Sequence, residues 1–431
     1  MNATTPPKNS EIIELVIERL GHRGEGVARV GEALVFTPYA LAGETVRAAR
    51  EGDHARVVEI VAPSPDRIAP ICPYYGVCGG CAVQTLAVPA YAAWKRGLVS
   101  HALHNAGLDL PVAALIDAHG AGRRRATFHA RMEQGKAQVG FMKARAHEIV
   151  EIDSCPLLAP ELANALPASR AIAQALAGRG KPLDVIVSAS GGGLDIDLRG
   201  AGVLDEPAHK ALMTLADRFD LARLSNHGRL VALRRTPDIA IGATRVTPPA
   251  GAFLQATEAG EETLARLVDA RTQGAKRIAD LFCGVGAFAL RLAQRSMICA
   301  FDNHAEAIAS LLAGARALPA LRLREAQTRD LFRRPLLVDE LNAYDAIIFD
   351  PPRAGAQAQA EQIAASVAPL VVAVSCNAQT FARDAQILIS GGYLCRDITP
   401  VDQFRFSPHV EIVATFEREK APKRRRSLLS R

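Results

Sequence analysis

The chain has 431 residues, of which 49% are hydrophobic and 22% are charged, and its formal net charge is +6. This length is too great for one ordinary hydrophobic core, so we expect two or three domains in a soluble, globular protein. No apolar run approaches the roughly 20 residues of a membrane span, which argues against a membrane protein or a membrane partner. The small positive charge is a mild bias towards a polyanion.

The sequence at the start of the chain does not indicate a signal peptide. The start, MNATTPPKNSEIIEL, lacks the charged residues and apolar stretch of a signal peptide, so we expect a cytoplasmic protein. In that compartment the eight cysteines are expected to be ligands or catalysts rather than disulfides. Residues 419–431 form a basic tail, for which a solvated end is the simplest interpretation. Nothing in the sequence calls for an obligate protein partner.

Residues 1–62 have the pattern of a small β-barrel. Five short β-type runs alternate with glycine-containing turns, and they are IIELVIERL, GVARV, ALVFTPYAL, ETVRAAR and ARVVEIVAP. Five such strands in about fifty residues predict a closed OB-like barrel. The segment resembles a TRAM domain, the RNA-binding barrel of some RNA-modifying enzymes. The pattern alone favours this function and a purely structural barrel equally.

Residues 63–246 are predicted to form a central β-rich domain. It begins with a proline-rich linker, APSPDRIAP, and a helix from about Val88 to Ala106. A later stretch alternates basic and apolar residues, as a half-buried sheet does. Six cations in this stretch could form one basic face for a polyanion, and they are Arg123, Arg124, Arg125, Arg131, Lys143 and Arg145.

Strands and helices alternate regularly over residues 247–418, which predicts a doubly wound, Rossmann-like α/β sheet. The expected strands are RIADLF, MICAFD, LRLREA, YDAIIFD, VVAVSC, a stretch near YLCRDI, and VEIVATFE. The expected helices are AFALRLAQR, HAEAIASLLAGARAL and TFARDAQILIS. In such a sheet, ligands bind at the carboxyl ends of the strands.

Two strand ends carry the pattern of a nucleoside cofactor site. Gly284 and Gly286 lie in a strand-to-helix turn, where glycine lets the backbone approach a ligand. Asp302 ends the next strand, where a carboxylate can bind both ribose hydroxyls. This pair of features favours cofactor binding, but it does not separate NAD from S-adenosylmethionine.

The fourth strand separates these two cofactors. It ends in Asp350-Pro351-Pro352-Arg353, a rigid loop that can present a base to a methyl donor. Enzymes that methylate exocyclic amino groups carry an aromatic residue where this chain has Arg353, which argues against that reaction.

Cys376 indicates the reaction class. It ends the fifth strand at the start of a helix, where a thiol pKa is expected to be lowered. C5 of uracil becomes nucleophilic when a thiolate adds to C6, and a base must later remove the C5 proton. Glu411, at the start of the last strand, is a candidate for that base, although its spacing does not distinguish it from an ordinary carboxylate. Cytosine-C5 enzymes carry a cysteine in the fourth-strand loop, and none lies there in this chain.

Four other cysteines have the pattern of a metal or cluster site, namely Cys72, Cys78, Cys81 and Cys155. Their spacing, C-x5-C-x2-C with a distant fourth member, suits zinc or an iron–sulfur cluster, with the cluster slightly favoured. We expect Cys283, Cys299 and Cys395 to be packing residues.

Taken together, CPYYGVCGGC, IVEIDSCPLL, DLFCGVGAFAL, DPPRAG, VSCNAQTFARD and HVE resemble the RNA uracil-C5 methyltransferases over nearly the whole chain. The subgroup they resemble most acts on large-subunit rRNA (the RumA/RlmD type). The resemblance implies a [4Fe-4S] cluster on the four cysteines, Cys376 as nucleophile and Glu411 as C5 base. It also implies S-adenosylmethionine contacts at Gln255, Phe282, Gly284, Asp302 and Asp350.

The chain departs from the family pattern at three positions. Ala287 replaces a common Asn, Ala378 replaces the proline of Cys-Asn-Pro, and Asp302 replaces the usual Glu. The missing Asn puts one cofactor contact in doubt. The alternatives are the same chemistry on tRNA or another rRNA uridine, or a non-catalytic iron–sulfur protein that binds RNA. A radical-type enzyme ranks below these, because its C-x3-C-x2-C motif is absent.

Overall fold

The structure is a computed structural model that describes residues 11–144, 146–177 and 182–418. Its strands form a closed barrel, a seven-stranded sheet, a two-stranded hairpin and an eight-stranded sheet. Within these ranges no helix combines the length and apolarity that a membrane span requires. Arg145 and the basic tail fall outside the described residues.

The barrel has five strands, which are β1 (Glu11–Leu20), β2 (Gly26–Val30), β3 (Ala33–Thr37), β4 (Thr45–Glu51) and β5 (His54–Ala62). They close in the order β1-β2-β3-β5-β4. Inward-facing side chains such as Leu15, Ile17, Val35 and Val46 form its core. The predicted five-stranded barrel is therefore confirmed.

The proline-rich segment after the barrel is anchored by an ion pair. Arg67 donates both to the fully buried Glu44 carboxylate, with Nη2 2.8 Å from Oε2, and to the carbonyl of Tyr39 at 2.8 Å. This segment leads into α1 (Val88–Asn105), which confirms the predicted helix, and then into β6 (Ile116–Asp117).

The central sheet is mixed and packs against two helices. Its strands are β7 (Arg125–Glu133), β8 (Lys136–Met142), β9 (Ile149–Glu151), β10 (Leu183–Ser190), β11 (Gly193–Arg199), β12 (Arg223–Asn226) and β13 (Arg229–Leu233). Their order is β13-β12-β11-β10-β7-β8-β9. Helices α2 (Ala165–Ala175) and α3 (Glu206–Arg218) pack on it, with Phe128 and Ile172 in the shared core. The predicted β-rich region is thus observed.

The hairpin of β14 (Ile239–Ile241) and β15 (Thr244–Val246) leads into the C-terminal sheet. The strands of that sheet are β16 (Arg277–Leu281), β17 (Met297–Asp302), β18 (Leu323–Thr328), β19 (Ala346–Phe349), β20 (Leu370–Ser375), β21 (Tyr393–Asp402) and β22 (Glu411–Arg418). The helices are α4 (Glu258–Arg271), α5 (Ala289–Leu292), α6 (Ala305–Arg316), α7 (Val338–Leu341), α8 (Gln357–Ala365) and α9 (Ala378–Ser390).

The strand order of the C-terminal sheet is β18-β17-β16-β19-β20-β22-β21-β6. The pairs among β16 to β20 are parallel, whereas β22 runs antiparallel to both β20 and β21. The first five strands of this order therefore end along one edge, as doubly wound folds require for a ligand site. The predicted Rossmann-like sheet is confirmed.

Two elements from the first half of the chain belong to this C-terminal core. Val99 and Leu103 of α1 share a buried cluster with Phe381 and Leu388 of α9, and β6 extends the sheet beside β21. The C-terminal core therefore draws on residues from both sides of position 246. The division of the chain at 62, 246 and 418 stays a prediction.

One buried ion pair connects the central sheet to the C-terminal sheet. Arg124, which directly precedes β7, places Nη2 2.5 Å from Oε2 of Glu261 on α4, and the two side chains are only 11% and 5% exposed. Its Nε also donates to the carbonyl of Gln255 at 3.1 Å. Arg124 is therefore buried and bonded within the protein. The prediction that it belongs to one basic face for a polyanion was wrong.

We predict that Arg124→Met destabilises the protein by about 1 to 3 kcal/mol, because the buried Glu261 then keeps only Arg291, at 3.4 Å, as its ion-pair partner and the Gln255 carbonyl loses a donor. The matched control is Arg47→Met, which breaks an Arg47–Glu59 pair whose side chains are 52% and 56% exposed. That change should cost about 1 kcal/mol or less. Urea unfolding of both variants measures the difference, and equal losses would contradict this account of Arg124.

Candidate active site

The ends of β16 and β17 form an open, glycine-lined turn. Asp302 accepts hydrogen bonds from the backbone N–H groups of Gly284, at 2.9 Å, and His304, at 2.8 Å. Gly284 has φ +54°, and a Cβ placed there would meet no described atom within 4 Å. The turn thus leaves space for a ligand beside a carboxylate.

The other residues of the turn are held by packing. A Cβ on Gly286, which has φ +96°, would come within 2.9 Å of the Leu311 side chain. Phe282 adopts φ +63°, a conformation that costs energy in a residue with a bulky side chain. Its ring lies 5.5 Å from that of Phe332. This arrangement presents Phe282 as an aromatic surface at the edge of the turn.

Asp280 is a candidate site residue that the sequence analysis did not single out. It is fully buried, and neither carboxylate oxygen has a well-formed hydrogen bond within the described part of the chain. Burial raises the pKa of Asp280 to about 7, and the charge of Asp302 adds to the effect. An acidic residue just before the glycine turn, in DLFCGVG, was the available signal.

Two buried glutamines link the candidate carboxylates. Gln255 donates from Nε2 to Asp350 at 3.4 Å, and Gln403 donates from Nε2 to Gln255 at 2.5 Å and to Glu411 at 2.9 Å. Gln403 is fully buried and belongs to no recognisable motif, so the sequence offered no signal for it. The predicted residues Gln255, Asp350 and Glu411 therefore share one network.

Strand register brings the candidate nucleophile and base together. In the antiparallel pairing of β20 with β22, Ser375 lies opposite Ile412. The next pair of positions along the two strands is Cys376 and Glu411, so both side chains lie at the same end of the sheet. The Asn377 side chain caps α9 by accepting from the N–H groups of Gln379 and Thr380, which fixes the turn after Cys376.

The electrostatic environment of Cys376 differs from the one expected at a helix N-terminus. Burial, with the charges of Glu411 and Asp350, raises the pKa of the Cys376 thiol to about 12 against the opposing effect of Arg353. Burial also raises the pKa of Glu411 to about 7 and holds that of Asp350 well above its usual range. In the state described here, the sulfur is therefore a thiol.

Arg353 and His409 form the outer side of the site. His409 lies with Nε2 2.9 Å from the Arg353 guanidinium, and its ring packs edge-to-face on Phe404 at 5.8 Å. Burial and nearby cations lower the pKa of His409 to about 4. His409 is therefore a neutral acceptor that orients Arg353.

The four predicted ligand cysteines lie around one cavity of about 620 Å³, which they share with Arg123, Arg353 and Phe404. Burial raises the pKa of Cys81 to about 12, and it also raises the pKa values of Cys78 and Cys155. Among the residues that the structure describes, no three or more His, Cys, Asp or Glu side chains are arranged to hold a metal ion.

The same cavity contains an exposed aromatic residue beside the candidate site. Phe253 is 67% exposed, and the Arg125 guanidinium lies 5.3 Å from its ring centroid. Arg125, Arg123 and Lys143 all line this cavity. Arg131 lies apart from it, close to Glu133 and Gln138. The predicted basic residues are thus partly gathered at the cavity.

No family model matches the chain. A protein of Brucella suis named an uncharacterized RNA methyltransferase is 42% identical over 406 residues, which cover 94% of this chain and 98% of the relative. The 23S rRNA (uracil(1939)-C(5))-methyltransferase RlmD of Halomonas elongata is 33% identical over 446 residues, covering 95% of this chain and 90% of that protein. The chain belongs to the RNA uracil-C5 methyltransferase family.

A solved member of this family has the same fold. The tRNA (uracil-54, C5)-methyltransferase of Pyrococcus abyssi, in complex with S-adenosyl-L-homocysteine, superimposes with a TM-score of 0.73 at 22% identity. The match covers 94% of this chain and 99% of that structure. This RNA uracil-C5 methyltransferase family member is thus an RNA methyltransferase that uses S-adenosylmethionine.

We predict that Glu411→Gln lowers the pKa of Cys376, since it removes a negative charge, and that Arg353→Met raises it further. Iodoacetamide alkylation of Cys376, followed by mass spectrometry between pH 7 and pH 10, measures both effects as opposite changes in rate relative to wild type. The buried Cys283 serves as the internal control. Equal rates in all three proteins would contradict the proposed electrostatic coupling.

Proposed function

We propose that this enzyme methylates C5 of a specific uridine in RNA, through a covalent bond between Cys376 and C6 of the uracil. The observation that carries the proposal is the register of β20 and β22, which sets the thiol of Cys376 beside the carboxylate of Glu411. A nucleophile and a base on one side of a cofactor turn are the groups that methylation at C5 requires.

Cys376 acts first, by addition of its sulfur to C6, which moves electron density onto C5 and the O4 oxygen. S-adenosylmethionine supplies the methyl group that C5 then takes. Glu411 next accepts the C5 proton; the C–H electron pair forms the C5=C6 bond, and the bond from C6 to Sγ breaks. The products are 5-methyluridine, S-adenosylhomocysteine and free Cys376.

Because the pKa of Cys376 is raised, the mechanism must include a step in which the thiol loses its proton. The thiol is buried beside two carboxyl groups, so it loses its proton only when the local charge becomes more positive. The sulfonium of S-adenosylmethionine carries such a charge. We therefore propose that cofactor binding lowers the pKa values of Cys376 and Glu411 together, so that the nucleophile forms only in the loaded enzyme.

We propose that the cofactor binds along the ends of β16, β17 and β19. Asp302 would hold the ribose hydroxyls, Gly284 would let the backbone approach, and Phe282 would contact the adenine. Gln255 and Asp350 would face the methionine part of the cofactor. The buried and poorly paired carboxylate of Asp280 supports a cationic ligand nearby.

We also propose that Cys72, Cys78, Cys81 and Cys155 hold a [4Fe-4S] cluster. The four thiols share one partly apolar cavity, and the charge of Arg123 lowers the pKa values of Cys78, Cys81 and Cys155 against the larger, opposing effect of burial. Each thiolate of a cluster binds a different iron, so the sulfurs lie farther apart than around one zinc ion. An arrangement that does not suit a single ion is compatible with this larger group. The proposed cluster needs only a structural role, and no redox role is required.

RNA would reach the site through a groove between the barrel and the cysteine segment. This groove has a volume of about 930 Å³, and its lining includes Arg23, Arg56, Lys143, Arg353 and Phe404. Cations bind phosphates and aromatic rings stack on bases, so the groove suits a single strand. The target uridine would be flipped out of its loop to reach Cys376. Large-subunit rRNA is our proposed substrate, and tRNA or another rRNA uridine is the alternative.

We predict that purified enzyme transfers labelled methyl from S-adenosylmethionine to RNA from a strain that lacks this gene, giving 5-methyluridine. Cys376→Ala should abolish transfer while RNA binding persists, because the substitution removes only the nucleophile. Size fractionation assigns the label to large-subunit rRNA or to tRNA, and label in tRNA would overturn the proposed substrate alone. Protein that binds the cofactor and yields no 5-methyluridine would indicate an RNA-binding protein instead.

We predict that protein purified without oxygen contains about four iron and four sulfide ions per chain. Cys81→Ser and Cys155→Ser should each lower both contents sharply, because each removes one ligand. Cys299→Ser and Cys395→Ser are matched controls, since these cysteines lie elsewhere in the C-terminal core. Bound zinc in place of iron, or iron content unchanged by the ligand variants, would contradict the cluster assignment.

A further inference from the structure

The loop that precedes Glu411 is held by a buried lysine from the first half of the chain. This loop, residues 403–410, joins β21 to β22 and carries Gln403, Phe404 and His409. All three lie in the candidate site, yet the loop has no regular secondary structure. Its position must therefore be fixed by contacts from outside.

Lys95 supplies these contacts. Its Nζ donates to Asp402 Oδ1 at 2.8 Å, to the carbonyl of Phe404 at 3.2 Å, and to the carbonyl of His409. The side chain is fully buried, and all three partners are acceptors. A neutral amine has only two N–H groups, so the full set of bonds requires the charged form of Lys95. One cation thus joins both ends of the loop.

The position of Lys95 in its helix is unusual. The buried face of α1 consists of Tyr91, Lys95, Val99, Ala102 and Leu103, at helical spacing. An apolar residue is expected at the centre of such a face, because burying a charge is unfavourable even when it is paired. The chain therefore has a lysine where packing alone would favour leucine or methionine.

Tyr91 completes the arrangement. Its hydroxyl donates to Asp402 Oδ2 at 2.5 Å and accepts from the N–H of Phe406 at 2.9 Å. Asp402 also accepts from the N–H of Phe404 at 3.1 Å. The middle of the loop is thus tied to the same carboxylate as its ends.

We propose that Lys95 is a positioning residue for the removal of the C5 proton, because it holds loop 403–410 so that Gln403 and Glu411 face the substrate. This inference rests on the proposed function of Glu411. Lys95 is fully buried and bonded to Asp402, Phe404 and His409, so it acts through the loop. Loss of Lys95 should leave the addition of Cys376 intact and slow the step in which Glu411 takes the proton and the bond to Sγ breaks.

The positive charge of Lys95 also favours proton removal by Glu411, in addition to its effect on the position of the loop. The charged and titratable groups that face Glu411 are Asp350, Cys376, Arg353 and Lys95, and the last two lower its pKa against the effect of burial. A base must be ionised to accept a proton. Removing Lys95 should therefore raise the pKa of Glu411 and move the acid limb of the rate profile to higher pH.

The test uses the full-length enzyme, cofactor and target RNA, and measures turnover together with the fraction of protein–RNA adduct that survives denaturing electrophoresis. For Lys95→Met we expect turnover at least tenfold slower, more adduct than in wild type, and an acid limb shifted upward. Glu411→Gln is the reference, since it should accumulate adduct for the same reason. Lys210→Met on the exposed side of α3 is the matched control and should behave as wild type.

Two further variants guard against misfolding. Lys95→Met with Asp402→Asn removes both buried charges together, and Tyr91→Phe removes one hydroxyl from the same network. Each should keep the thermal midpoint and cofactor binding near wild type and still accumulate adduct. Slow turnover without adduct in any of the variants that fold, or an unshifted acid limb in a folded Lys95→Met, would overturn the role of Lys95. Absence of a Cys376-dependent adduct even in Glu411→Gln would overturn the proposed function itself.

Discussion

The antiparallel insertion of β22 between β20 and β21 is the constraint on which the candidate site depends. A strand running in this direction begins at the edge where the parallel strands end. Its first residue, Glu411, therefore lies beside Cys376. If β22 were shifted by one residue, the Glu411 side chain would point to the opposite face of the sheet. The hydrogen-bond register of two strands thus decides whether the candidate nucleophile and the candidate base lie side by side.

The same edge of the sheet concentrates negative charge in a buried space. Burial raises the pKa values of Asp280, Asp350 and Glu411. It also raises the pKa of the Cys376 thiol. Such a cluster is unfavourable by itself and becomes favourable when a cation binds. A sulfonium cofactor fits this requirement better than a neutral one. These electrostatics are the basis for our proposal that the site depends on its cofactor.

The catalytic edge is also connected to distant parts of the chain. Lys95 and Tyr91 hold the loop before Glu411, and the backbone N–H groups of Ala82 and Val83 donate to the carbonyl of Phe406 in the same loop. The segment that carries Cys72, Cys78 and Cys81 thus ends on the catalytic loop. Any group that orders these cysteines would also order the approach to Glu411. This connection gives the cysteine segment a structural link to catalysis that requires no electron transfer.

The elements and strand-end motifs were predictable from the sequence, because they depend on local patterns. Apolar runs defined the barrel and the parallel strands, and the glycine turn, Asp350 and Cys376 were recognisable as strand ends. Gln403 and Lys95 were not, since neither belongs to a motif and each acts on residues far away in the chain. The lowered thiol pKa expected for Cys376 was also wrong, because the helix terminus was visible in the sequence, whereas the burial of the thiol and its closeness to Glu411 and Asp350 were not.

The sequence by itself therefore determined which chemistry-bearing residues exist and which strand each of them follows. The tertiary structure decided that Glu411 lies beside Cys376, that α1 belongs to the C-terminal core, and that the thiol is protonated. These properties depend on register and burial, which arise only when distant segments pack together, such as Tyr91 and Phe406, which are 315 residues apart. Local sequence patterns carry no information about the dielectric environment that such packing creates.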